Sequence, residues 1–323
     1  DGAEVLKHVP HVDVVFGTHN IHELPSLLEA AEAGRPAVSV LEAGEGFASD
    51  LPQAREHPWH AWVSITVGCD NHCAYCIVPT VRGAERSRQL EDIVAEVERL
   101  VSDGVVEVTL LGQNVNSYGR DRYGEPRFAA LLHAVAATGI RRIRFATSHP
   151  KDLSDDTIAA MAGIPAMMPF LHLPVQHGSD RMLEAMNRKY TAEQYLARIA
   201  AVRAAVPDIA LSTDIIVGFP GETEDDFQKT LDLVETVGFD HAFTFIYSRR
   251  EGTPAASLPD TVPRDVAQER FDRLALLVRT LSFAANEREV GCVRACLVEG
   301  ASKREATVLA ARTPHNRLVH VPL

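Results

Sequence analysis

Residues 60–88 read "HAWVSITVGCDNHCAYCIVPTVRGAERSR", and the change of character at Gly68 decides how the rest of the chain is read. Up to that glycine the residues are largely apolar, aromatic or β-branched, the composition of a strand on a packed sheet. Beyond it the chain turns polar, and Cys69, Cys73 and Cys76 follow within eight residues of a chain that has only five cysteines. A C-x3-C-x2-C loop directly after a strand carries three thiols to that strand's carboxyl end.

The same pattern of strand followed by polar cluster recurs further along. Strand candidates are "VVEVTLLGQN" (105–114), "RRIRFATSHP" (141–150), "MPFLHLPVQ" (168–176), "IALSTDIIVGFP" (209–220) and "HAFTFIYSRR" (241–250). Helical patterns lie between them. In "LEDIVAEVERLVSDG" the residues Ile93, Val97, Leu100 and Val101 share a face, and in "TAEQYLARIAAVRAAV" Tyr195, Ile199 and Val202 do. Six strands alternating with helices imply parallel β/α units with right-handed crossovers. Nearly every strand candidate runs out into a polar or Gly-rich group: Cys69, Gln113 with Asn114, Ser148 with His149, Gln176, the turn from Gly218 to Glu222, and Arg249 with Arg250. Functional groups at the carboxyl ends of many strands belong to a β/α barrel, whereas a doubly wound sheet gathers its site at one switch point. The expected fold is therefore α/β, an open six-unit partial TIM-like (β/α) barrel over residues 59–283.

Composition bounds what such a chain does. Its 323 residues are 46% hydrophobic, enough for one large core with smaller flanking pieces. The formal charge of -12 argues against general affinity for nucleic acid, while leaving room for a local basic face. No apolar run approaches the roughly 18 to 20 residues that cross a bilayer, and the opening "DGAEVLKHVP" is not a signal peptide. Three clustered thiols out of an odd total suit metal or redox chemistry better than a disulfide framework. The reading is a soluble, cytoplasmic protein without a membrane partner.

Three readings of the thiols are open. Buried cysteines can serve as small apolar residues, but Asp70, Asn71 and His72 interrupt the run. A structural zinc wants four ligands; His72 is cramped by its neighbours, and Cys292 and Cys296 lie far away in sequence. An iron–sulfur cubane usually takes four thiolates, and three would leave one iron free for a ligand from outside the protein.

The aromatic residue inside the motif, Tyr75 before Cys76, gives C-x3-C-x-aromatic-C, which resembles the radical S-adenosylmethionine enzymes. The stretches "LLGQNVNSYG", "RFATSHP", "FLHLPVQHGSDRML", "DIIVGFPGETEDDF" and "SRREGTPAA" extend the resemblance over nearly the whole chain to the methylthiotransferases of the MiaB type. That resemblance implies a [4Fe–4S] cluster on Cys69, Cys73 and Cys76, with S-adenosyl-L-methionine on its open iron. It implies reductive cleavage to a 5′-deoxyadenosyl radical, a second cosubstrate molecule giving methyl, and methylthiolation of N6-isopentenyladenosine beside the tRNA anticodon. The implied partners are tRNA carrying isopentenyladenosine and an external electron donor such as flavodoxin, with the chain acting as a monomer. Sister groups act on threonylcarbamoyladenosine in tRNA or on a ribosomal protein; "GQNVNSYG" resembles the isopentenyladenosine group. A reading of another class is a non-catalytic RNA-binding protein with a structural metal site.

The resemblance also implies site residues. Tyr75 is expected near the adenine, or else is simply packed. Gly112, Gln113 and Asn114 are expected at the methionine amino group, although Gln113 and Asn114 can equally cap a strand end. Ser148, Gln176 and Ser179 look like cosubstrate contacts, and Gly218 and Gly221 in "VGFPGE" permit close backbone approach to a ligand. Glu222 reads as a loop cap, and His172 and His177 as structural. Arg82 and Arg86 can meet the cosubstrate carboxylate or tRNA phosphate, or lie in solvent.

After a long amphipathic helix starting near Pro263, "CVRACLVEGAS", "EATVLAART" and "NRLVHVPL" alternate as strands of a small antiparallel barrel. By resemblance, residues 284–323 form an incomplete TRAM-like RNA-binding domain, with Lys303, Arg304, Arg312 and Arg317 for phosphates and Cys292 and Cys296 in its core. Residues 1–40 resemble the last part of an N-terminal methylthiotransferase domain, joined by a polar linker at 41–58. No cysteine precedes Cys69, so the chain is expected to be cut at both ends and to lack a second [4Fe–4S] site, the sulfur donor, that the complete protein carries.

Overall fold

The computed structural model describes residues 2–9, 11–17, 20–35, 37–40, 55–259, 261–305 and 307–323. Six strands and six helices alternate through its centre: β1 (His60–Ser64), α1 (Leu90–Ser102), β2 (Glu107–Leu111), α2 (Phe128–Ala137), β3 (Arg142–Phe145), α3 (Asp155–Gly163), β4 (Phe170–His172), α4 (Ala192–Ala205), β5 (Ala210–Val217), α5 (Glu224–Val237), β6 (His241–Ile246) and α6 (Arg264–Glu287). The helices start where local chemistry allows. Thr191 with Gln194 and Thr223 with Asp226 form capping boxes ahead of α4 and α5, and Pro263 stands just before α6.

All six strands run parallel. β1, β2 and β3 form one ladder, and β4, β5 and β6 another. A single bridge from Ile143 to Met167 joins the two, where Met168 N donates to Ile143 O at 3.0 Å. The spatial order is thus the sequence order, without the reversal that marks a doubly wound sheet. Among the described residues β1 and β6 are each paired on one side only.

Side chains alternate along the strands with the period of two that a pleat imposes. Ala61, Val63, Val108, Leu110, Ile143 and Ile215 turn outward and join Ile93, Val97, Leu131 and Ile199 of the helices in one core. Each of the larger of these side chains stabilises the fold by about 1.5–3 kcal/mol. The alternate positions are of another kind. Trp62, Thr109, Arg144, His172, Ser212 and Phe243, one from each strand, wall a common cavity of about 750 Å³. A closed barrel of this class packs that interior with branched apolar residues; here it is polar and aromatic.

The strands β7 (Leu297–Ala301), β8 (Val308–Arg312) and β9 (Leu318–Pro322) form an antiparallel meander. It meets the amino-terminal ends of the parallel strands. Glu107 takes Arg142 Nε at 2.7 Å and Arg144 Nε at 3.1 Å. The free ends of both guanidiniums donate to main-chain oxygens: Arg142 to Thr313 at 3.2 Å, Arg144 to Thr313 and Pro314 at 3.0 Å.

At the other end of the chain, strands Val14–Phe16 and Ala37–Ser39 pair in parallel around helix Leu24–Glu32, a β-α-β unit within residues 1–40. The expected linker lies outside the described residues except for 55–58. Cys292 and Cys296 correct the sequence reading. Both are exposed, because β7 begins only at Leu297 and the residues just before it take no part in the sheet.

Candidate functional site

The cysteine loop leaves β1 through a short antiparallel pair, Thr66–Val67 with Arg86–Ser87. Gly68 has φ 83°, and a Cβ there would stand 2.0 Å from Ala84 O, so no other residue fits without a shift. Cys69 N donates to Gly83 O at 3.2 Å and Glu85 N to Asp70 Oδ1 at 2.9 Å. Ala74 N reaches Met186 O at 2.9 Å, Ala255 N reaches Ala74 O at 2.8 Å, and Asn187 Nδ2 reaches His72 O at 2.6 Å. The loop is therefore held by its own return at Gly83–Glu85 and by two distant segments, Met186–Asn187 and Ala255. Cys69 and Cys73 are buried and Cys76 half-buried. Burial pushes the Cys69 thiol up to about 11 and raises Cys76 as well.

Among the described residues no group of three His, Cys, Asp or Glu side chains is arranged to hold a metal ion, so neither His72 nor the exposed Cys292 and Cys296 completes a zinc set. A cubane spreads its thiolates over separate irons, further apart than the ligands of one ion. Three thiols on one loop, with no fourth ligand grouped with them among the described residues, suit the donor chemistry of that group.

Around the loop, the strand ends hold polar atoms of which several lack partners. Gly112 makes room for Thr66, whose Oγ1 would lie 2.1 Å from a Cβ at that position. Gln113 Oε1 accepts from Gly68 N at 2.8 Å, which ties β2 to the start of the cysteine loop. Asn114 Nδ2 donates to Asp152 Oδ2 at 2.8 Å. Thr66 Oγ1, Asn114 Oδ1, Asn116 Nδ2 and Ser148 Oγ are buried and unpartnered. Leaving such an atom unpaired costs about 1–3 kcal/mol, a cost that a polar ligand removes. Asp70, Glu85, Asn114, Ser117 and Lys151 border a polar cavity of about 180 Å³ beside the loop. There Ser117 Oγ donates to Glu85 at 2.6 Å, yet burial raises the Glu85 carboxyl to about 7.

Two non-glycine residues sit in the left-handed region at the ends of β3 and β4, Thr147 at φ 67° and Gln176 at φ 69°. Such strain gathers at ligand sites, and no sequence signal marked Thr147. Ser179 is turned inward, its hydroxyl donating to Asp226 at 2.6 Å. Gly218 and Gly221 have φ 70° and 80°; Gly218 N donates to Glu222 Oε2 at 2.7 Å, and Gly221 O accepts from Arg181 at 2.7 Å. Glu222 is more than a cap. It also takes Arg270 Nη1 at 2.7 Å and meets His177 Nε2 at 2.9 Å, wholly out of solvent. Tyr75 packs beside Ala74, Met182, Met186 and Phe219, with its hydroxyl facing Arg188.

Of the basic residues, Arg82 ends a short helix, Val78–Arg82, and Arg86 lies opposite Val67 in the strand pair. Lys303 and Arg304 are exposed. Arg312 is engaged with Glu299, and Arg317 with Asp240 at the base of β6. Arg188, which sequence reasoning missed, reaches Cys73 Sγ at 3.4 Å. In one sequence nothing distinguishes it from a surface arginine.

Residues 63–234, the span from β1 through α5, match the family model described as the radical SAM superfamily. The chain belongs to that superfamily. A similar protein from Acidothermus cellulolyticus is 53% identical over 325 residues, covering 99% of this chain and 65% of the relative. One from Carboxydothermus hydrogenoformans is 50% identical over 317 residues, covering 98% and 72%. Both carry the name tRNA-2-methylthio-N(6)-dimethylallyladenosine synthase. The chain spans just under two thirds of the first relative's length. Two solved radical SAM structures share the fold. Coproporphyrinogen III oxidase from Escherichia coli has TM-score 0.51 and 15% identity over 83% of this chain and 72% of its own. The methyltransferase TsrM from Kitasatospora setae has TM-score 0.51 and 16% identity over 60% and 38%.

Proposed function

We propose that the chain carries the radical site of a tRNA methylthiotransferase acting on N6-isopentenyladenosine, and that its six parallel strands form an open partial barrel with the TRAM-like strands β7–β9 across its base. The observation that carries this reading is identity of about half, over nearly every residue of the chain, to relatives bearing that enzyme's name. It is supported by three thiols on the loop after β1, with no fourth ligand grouped with them among the described residues.

Cys69, Cys73 and Cys76 hold a [4Fe–4S] cluster, which when bound supplies the electron for cleaving S-adenosyl-L-methionine. Gly112 and Gly218 keep backbone close to the cosubstrate, and Asn114, Ser148 and Gln176 offer polar atoms to it. Gln113 and Ser179 act one step back, fixing the cysteine loop and the α5 capping residue. Tyr75 closes the apolar side. The nucleotide enters through the gap between β1 and β6, where Trp62 is 56% and Phe243 50% exposed and present aromatic surface to unpaired bases. Arg82, Arg86, Lys303 and Arg304 meet phosphates, while Arg312 and Arg317 hold the RNA-facing strands in place. The electron comes from a flavodoxin-type donor, and the protein works as a cytoplasmic monomer. Among the described residues no helix is long and apolar enough to cross a membrane, in keeping with a soluble substrate.

The test is anaerobic reconstitution followed by iron and sulfide analysis, then assay of 5′-deoxyadenosine with dithionite. Isopentenylated tRNA treated with a protein of the relatives' full length, carrying this chain, is then digested for nucleoside mass spectrometry. Cosubstrate cleavage with a 2-methylthio product supports the reading; protein that binds zinc in place of iron and cleaves nothing overturns it.

A further inference from the structure

Arg188 is 4% exposed. Its nitrogens are all committed. Nε donates to Tyr190 Oη at 2.9 Å, Nη2 to Pro174 O at 3.0 Å, and Nη1 to both Cys73 Sγ and Tyr75 Oη at 3.4 Å. The guanidinium carbon also stands 5.3 Å from the centre of the Tyr190 ring. None of these partners is a carboxylate, and no described residue forms an ion pair with it. Other buried arginines of this chain are paired: Arg88 with Glu96, Arg142 and Arg144 with Glu107, Arg270 with Glu222.

A guanidinium does not lose its proton in a protein, and a buried charge without an opposite charge is costly. The one group in contact with Arg188 that becomes a full anion in working protein is the Cys73 sulfur. We propose that Arg188 is the built-in counter-cation of the cysteine site, a positioning residue that favours the reduced state of the cluster held there. This rests on the proposed radical site. Three thiolates on an oxidised cubane of core charge +2 leave a net charge of −1. One electron from the external donor takes it to −2, the donor is oxidised by one electron, and no proton moves. A fixed cation at 3.4 Å from one sulfur stabilises the second state more than the first. Hydrogen bonds to cluster sulfurs and local charge are the protein's means of setting such potentials.

The experiment is an EPR-monitored redox titration of the reconstituted chain without cosubstrate, with iron content measured alongside. Arg188→Met is expected to keep its iron and to shift the reduction equilibrium at least tenfold against the reduced state, which is 59 mV for one electron. Arg188→Lys, which keeps the charge, should lose no more than threefold. Arg188→Gln covers the case in which Arg188→Met does not assemble: it keeps an N–H donor in place of Nη1 but removes the charge, and should shift the equilibrium at least fivefold in the same direction. Titration of Arg188→Met at the unaltered potential overturns the proposal, as does an unshifted Arg188→Gln when Arg188→Met takes up no iron. If the unaltered protein forms no cubane, the radical-site reading fails first. A normal cubane in unaltered protein with no shift in the variants removes the counter-cation alone.

Discussion

Arg270 on α6 donates to Glu222 at 2.7 Å, joining the long helix to the turn after β5. Both side chains are nearly out of solvent, and Gly218 N and His177 share the same carboxylate. Removing only the cation leaves a buried carboxylate facing a histidine, a change that costs about 3–5 kcal/mol. Arg270→Met should lower unfolding stability in urea by that amount, and the double change with Glu222→Gln should recover part of it. A loss below about 1 kcal/mol for the single variant would show the pair to be dispensable.

Glu85 makes stability depend on pH in a definite direction. Its carboxyl is raised from 4.5 to about 7, first by burial and then by nearby carboxylates. Between those values the folded chain keeps a proton that the unfolded chain releases, so this group's contribution is complete below about 4.5 and disappears as pH rises through 7. Glu85→Gln keeps an acceptor for Ser117 and has no proton to lose. Denaturation at pH 5 and pH 8 should show a smaller decline for the variant; equal declines would place the titration elsewhere.

Each cysteine of the loop is expected to be necessary. Cys73→Ala should remove most of the iron bound on reconstitution and abolish 5′-deoxyadenosine formation, while the double variant Cys292→Ala, Cys296→Ala should match unaltered protein in both. Full iron in Cys73→Ala would mean that the cluster is held by other residues.

Trp62 gives the interior a test through RNA. Stacking of a base on an aromatic ring is worth about 1–3 kcal/mol, so Trp62→Ala should weaken binding of an anticodon stem-loop roughly tenfold. Iron content and cosubstrate cleavage without RNA should stay as they were. Unchanged affinity, measured by fluorescence anisotropy, would move the nucleotide's path away from the β1 edge.

The six strands and their helices were legible because each carries a local period, and the cysteine loop because its spacing lies within one short segment. What stayed hidden depends on pairs far apart in sequence. Arg188 meets Cys73 from 115 positions away, and Gln113 reaches back to Gly68, so a residue read as a ligand contact is engaged in holding the loop. Arg312 and Arg317 read as phosphate binders by charge alone, yet Glu299 and Asp240 already hold them. The polar interior was hidden for another reason. Alternation along β3, as in Arg142 and Arg144, shows that one face is polar without telling which side the helices cover.

The grip of Arg142 and Arg144 on the far strands falls on carbonyl oxygens of Thr313 and Pro314, groups that every residue type possesses. Such a joint is indifferent to the side chains on its far side. The terminal strands can drift in sequence, or be exchanged for a graft that follows the same backbone path, without that grip loosening. The parallel-strand scaffold can in this way accept a different terminal meander at that joint.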